Sequence, residues 1–83
     1  MPGAKGGAIA DRVAEHMAAL LGPNTARVAV KVFAQRGLGR GPETLTVHDL
    51  PTLTAALRPM LNTLIGRDRS DLVIKRILAE FGL

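Results

Sequence analysis

The stretch Ala26-Arg27-Val28-Ala29-Val30-Lys31-Val32-Phe33-Ala34-Gln35-Arg36 decides the fold. Val28, Val30 and Val32 alternate with Ala29 and Lys31, which is a strand pattern, and β-branched residues lower helix propensity slightly. The pairs Val28–Val32 and Ala29–Phe33 sit instead at the helical i,i+4 spacing, and Phe33-Ala34-Gln35 continues without a break. A helix apolar on most of its faces is a buried one. The neighbouring segments decide in favour of helix.

Upstream, residues 8–21 form an amphipathic pattern. Ile9, Val13, Met17, Leu20 and Leu21 share one face, with Asp11, Arg12 and Glu15 elsewhere. Gly22 supplies a turn position and Pro23 cannot continue the preceding helix. Asn24 or Thr25 is expected to cap the helix of 26–36. Downstream, Gly37, Gly39, Gly41 and Pro42 mark a connector that runs to about Leu45. Thr46 with Asp49 has capping spacing, and Pro51 suits a first helical turn. Leu53, Leu57, Met60, Leu61, Leu64 and Ile65 then form a stripe. Pro59 interrupts it, so a kink or break is expected near Arg58. Gly66 ends this third helix. Asp68 is expected to cap a fourth, with Leu72, Val73, Ile74, Ile77, Leu78 and Phe81 apolar.

A shift of 44 positions carries Leu20-Leu21-Gly22-Pro23-Asn24 onto Leu64-Ile65-Gly66-Arg67-Asp68. It also pairs Val13 with Leu57, Met17 with Leu61, Val28 with Leu72, Val30 with Ile74, Phe33 with Ile77 and Lys31 with Lys75, whereas Ala14 on Arg58 and Val32 on Arg76 do not match. Duplication and mere similarity of two helical hairpins both account for this. Either way the expected fold is all-α: four helices in two hairpins, at 8–36 and 46–83, with a Gly-rich loop at 37–45 and a flexible segment at 1–7. Neither hairpin alone buries its apolar faces, so the two must pack on each other or on a second chain.

Composition narrows the function. The 83 residues suit one small domain, and apolar residues at 47% with charged residues at 22% favour folding over disorder. With no Cys there is no disulfide framework, thiol chemistry or Cys-ligated zinc. Two Phe and no Trp or Tyr leave almost nothing on which single-stranded bases stack. No apolar run is long enough to span a bilayer and residues 1–7 do not read as a secretory signal. A cytoplasmic protein that does not bind membranes is the expectation. The net charge of +4 suits an anionic partner. Eight of the eleven basic residues are Arg, however, which a GC-rich bacterial genome produces without functional demand, and they are spread along the chain.

Sites of chemistry are scarce. Gly37-x-Gly39-x-Gly41, flanked by Arg36 and Arg40, follows the helix expected over 26–36 and lacks the strand-before-loop context of a phosphate cradle. His16 lies beside the first apolar stripe. His48 adjoins Asp49 but has no Ser or Cys nucleophile nearby, and Ser70 falls in a first helical turn. No His-x-x-x-His or Glu-x-x-His spacing occurs, so no metal, cofactor or catalytic residue is expected, and the chain is read as a non-enzyme. Two readings remain. The first is a protein-interaction module, homo-oligomeric or partner-bound, whose contact surface comes from the second and fourth helices through Val28, Val32, Phe33, Leu72, Ile77 and Phe81. The second is a helix-turn-helix-like DNA binder that uses Arg67, Arg69, Lys75 and Arg76 on the last helix, where Asp68 and Asp71 in the first turn oppose phosphate.

Overall fold

The computed structural model describes the backbone of residues 2–83 and the side chains from Ala8 onward. Four α-helices follow in order: α1 Pro2–Leu21, α2 Pro23–Leu38, α3 Leu50–Ile65 and α4 Arg67–Glu80, with single 3-10 turns at Pro42–Thr44 and Val47–Asp49 between α2 and α3. No strand occurs among the described residues. The helix α1 begins ahead of the expected Ala8, since a proline is tolerated in a first turn, where its missing N–H has no partner to lose.

The valine run is helical. Within α2 the buried residues are Ala26, Ala29, Val30 and Ala34, at three- and four-residue spacing. Val28 and Val30 lie two residues apart, hence about 200° apart around the helix, so one faces out and the other in. Tertiary burial of that face outweighs the weak β preference of the valines. α2 presents mostly alanines to the core. The larger side chains come from its neighbours: Val13 and Met17 of α1, Leu50, Leu53, Leu57 and Leu61 of α3, and Ile77 of α4 are almost entirely buried. Each such leucine contributes roughly 1.5–3 kcal/mol of transfer free energy.

α1 packs most extensively on α2, and α3 on α4. α2 also lies against α3, and α4 against α1. The four helices thus close a ring in which α2 and α4 stand diagonally opposite. The Cα radius of gyration is 11.6 Å, close to the roughly 12 Å of a self-contained chain of this length. The two hairpins share one core between them.

Three local expectations change. Gly22 and Gly66, at φ 89° and 86°, are themselves the residues before α2 and α4, and neither helix has a side-chain cap. Pro23 with its preset φ opens α2, which places Asn24 and Thr25 inside the first turn rather than ahead of it. Asp68 likewise lies within the first turn of α4, where a carboxylate still favours the helix dipole. Gly37 belongs to α2 and not to the connector. A Cβ there would stand 3.3 Å from that of Ala56, so the glycine permits close approach to α3. Of the kink or break expected near Arg58, the break does not occur: α3 runs on through Pro59, whose ring is compatible with a kink there. The proline and Ala55, whose carbonyl loses its usual donor, are both exposed, so the lost bond falls on the solvent side of the helix.

Candidate functional site

Ion pairs sort the basic residues. Arg12 Nε donates to Glu80 at 2.6 Å and Nη1 to Glu15 at 2.8 Å, while His16 Nε2 lies 2.6 Å from Glu80. This cluster ties α1 to the end of α4. The bond from Arg12, then that from His16, holds the Glu80 carboxyl below the usual carboxylate range. Arg40 Nη2 donates to Asp49 Oδ1 at 2.6 Å, and the Thr46 backbone N–H donates to Asp49 Oδ2 at 2.9 Å. The Thr46 bond first, with Arg40, lowers the Asp49 carboxyl as well. Arg58 of α3 pairs with Asp71 of α4.

The described cations left without an ion pair are Arg27, Lys31 and Arg36 of α2 and Arg67, Arg69, Lys75 and Arg76 of α4, all exposed. α2 contains no acidic residue. Among the described residues, free positive charge is thereby confined to the two diagonal helices.

Two of the exposed apolar side chains, Val28 and Leu72, fall on the same two helices, whereas Leu20 and Leu64 lie at the ends of α1 and α3. Val28 is 59% exposed and Leu72 49%; Leu20 and Leu64 are 42% and 54% exposed. The shift of 44 positions relates each pair. On α2, Val28 lies between Arg27 and Lys31; on α4, Leu72 lies between Arg69 and Lys75. An apolar centre with cationic flanks recurs on both outer faces.

Of the residues singled out from the sequence for contact, Val28 and Leu72 are exposed and Val32 is half-buried. Phe33 and Phe81 are half-buried against the core, and Ile77 is fully buried within it. Ile77 therefore belongs to the inner face of α4 and offers nothing to a partner, because the four-helix ring covers it. The surplus of apolar surface is smaller than the sequence suggests. It is also divided: the diagonal placement of α2 and α4 makes two separate faces instead of one. The charged candidates Arg67, Arg69, Lys75 and Arg76 all lie on the exposed side of α4. Lys31, which the sequence patterns include but do not single out for contact, joins Val28 on the α2 face; its i,i+3 spacing from Val28, matched by Lys75 and Leu72, is the available signal.

His48 is exposed, and Ser70 is buried with its hydroxyl donating to the Gly66 carbonyl at 2.8 Å. The Gly-rich connector follows a helix, and its Arg40 is engaged by Asp49. Among the described residues no group of three His, Cys, Asp or Glu side chains is placed to hold a metal, and no helix is long and apolar enough to cross a membrane. A groove of about 230 Å³ runs between α1 and α2, lined by Ala10, Asp11, Ala14, Arg27, Val30, Lys31 and Pro42. No protein-family model, no curated protein and no solved structure matches the chain, so these faces and this groove carry the functional reading.

Proposed function

We propose that the chain is a non-enzymatic protein-interaction module whose α2 and α4 faces each dock an acidic, amphipathic helix of another protein. The observation that carries this reading is the recurrence of one exposed apolar side chain, Val28 or Leu72, between unpaired cations on each face. Apolar contact supplies affinity, and complementary charge supplies orientation and speed of encounter. Self-association through these faces is disfavoured. Two copies of α2 would bring like charges together with no carboxylate on either helix to offset them. A partner of opposite charge removes that conflict, so a different chain is preferred to the homo-oligomer.

DNA binding is the second reading, favoured by the unpaired Arg67, Arg69, Lys75 and Arg76 on α4. Against it, Leu72 occupies the centre of the face that would meet phosphates.

Fluorescence anisotropy with a dye-labelled helical peptide of Glu and Leu, its Lys-for-Glu counterpart and a DNA duplex separates the readings. The proposal expects the acidic peptide to bind in a salt-weakened manner and the basic one not to. Preferential duplex binding supports the second reading. Equal binding of both peptides, or dimerisation in light scattering with no peptide bound, contradicts the proposal.

A further inference from the structure

The 44-residue correspondence fails most sharply at Ala14 and Arg58. The two hairpins differ there in structure too. In the second, Arg58 extends from α3 to Asp71 of α4 and bridges the helix pair from within. The equivalents in the first hairpin are Ala14 and Arg27. Ala14 has no side chain to lay across, and Arg27 stands where Asp71 stands, with its charge inverted and no ion pair. Both residues line the open α1–α2 groove. Its volume of about 230 Å³ is below the roughly 300–1,000 Å³ of small-molecule pockets, and suits one side chain better than a free ligand.

We infer that this groove receives a glutamate side chain of the docked partner helix, laid over Ala14 and paired with Arg27 and Lys31. The inference rests on the interaction module proposed above. The partner completes between chains, with reversed polarity, the bridge that Arg58 and Asp71 complete within one chain. The buried Ala10, Ala14 and Val30 form an apolar floor for the methylene stem. The rims fix the orientation. Asp11 on α1 repels a carboxylate, whereas Arg27 and Lys31 on α2 attract it. Glu15, which lines the neighbouring hollow beside Pro23 rather than this groove, is already held by Arg12 at 2.8 Å. α2 itself offers no competing acid.

The test is selection from a yeast-displayed library of designed helical peptides against the wild-type chain, followed by titration of the selected peptides on variants. Ala14→Gln fills the groove, and Arg27→Glu, at an exposed position, reverses its charge without touching the core. Arg58→Gln serves as the control in the other hairpin. The inference expects selected peptides to carry a glutamate whose change to glutamine weakens binding. It also expects Ala14→Gln and Arg27→Glu each to weaken binding more than about tenfold, the loss of one charge-assisted contact of roughly 1.4 kcal/mol, with Arg58→Gln unchanged. If Ala14→Gln fails to fold by circular dichroism, Arg27→Glu decides alone. Acidic peptides that lose affinity with Val28→Asp or Leu72→Asp, yet are indifferent to Arg27→Glu, overturn the groove while leaving the module intact. Selection of no acidic helical peptide overturns both.

Discussion

Gly22 and Gly66, 44 positions apart, hold the same backbone conformation: φ 89°, ψ 151° and φ 86°, ψ 159°. Each ends one helix and begins the next. Gly22 N–H donates to the Ala18 carbonyl at 2.8 Å and its own carbonyl accepts from Ala26 at 3.0 Å; Gly66 repeats this with Asn62 at 3.1 Å and Ser70 at 3.0 Å. This region of backbone space is open almost only to glycine. A Cβ at either site would meet nothing within 4 Å, so the cost of substitution is conformational. Gly22→Ala and Gly66→Ala are each expected to lose about 1–3 kcal/mol. Thermal unfolding followed by circular dichroism measures this, at roughly 4–8 °C per kcal/mol for a domain of this size. A loss at one glycine only would mean that the two turns are not equivalent.

The first hairpin serves as an internal control for polar residues in the second. Ser70 is buried where the first hairpin has the equally buried Ala26. Its hydroxyl adds a second bond to a Gly66 carbonyl that the Ser70 backbone N–H already satisfies. Ser70→Ala is therefore expected to cost under about 1 kcal/mol. Asn62 stands where the first hairpin has Ala18, and its Oδ1 is buried without a partner. Asn62→Ala removes that unpaired oxygen and improves helix propensity. A gain of about 0.5–1 kcal/mol in urea unfolding is expected.

Surface and core apolar residues separate by stability. Leu57 and Leu61 are wholly buried, and truncating either to alanine is expected to cost about 2–5 kcal/mol. Val28→Asp and Leu72→Asp alter exposed positions and should stay within about 0.5 kcal/mol of wild type while each abolishes binding at its own face. Denaturant melts of the four variants check the division, and a large loss in Val28→Asp would return Val28 to the core.

Acid acts on the clasp between α1 and α4. Glu80 is depressed by its bonds from Arg12 and His16, so the folded state binds its proton less readily than the unfolded chain does. The stabilising effect is present above the ordinary glutamate value of 4.5 and is lost as pH falls through the lower folded value. Carboxyl NMR titration should place the Glu80 midpoint below 4.5 in the wild type and return it toward that value in Arg12→Ala.

Much of the fold was legible because its signals are local. The Leu20–Asn24 and Leu64–Asp68 segments mark both tight turns, and the stripes Val13–Met17 and Leu53–Leu57–Leu61 are indeed the buried faces. The caps were misplaced because Gly22 and Gly66 each serve two helices, a role that neighbouring Asn24 and Asp68 disguise. Ile77 looked available because periodicity shows that a helix has an apolar face but not which helices surround it. The separation of Val28 from Leu72 follows from the diagonal packing of α2 and α4, a relation between distant segments. The pairing of Arg58 with Asp71, and the open place at Ala14, likewise depend on how helices meet.

The most direct test of the interaction reading is backbone-amide NMR mapping of the wild-type chain with the acidic Glu/Leu helical peptide. The account predicts shift changes along the outer faces of α2 and α4, centred on Val28, Lys31, Leu72 and Lys75. Changes centred instead on α3, or no change at peptide concentrations that saturate a micromolar site, would contradict it.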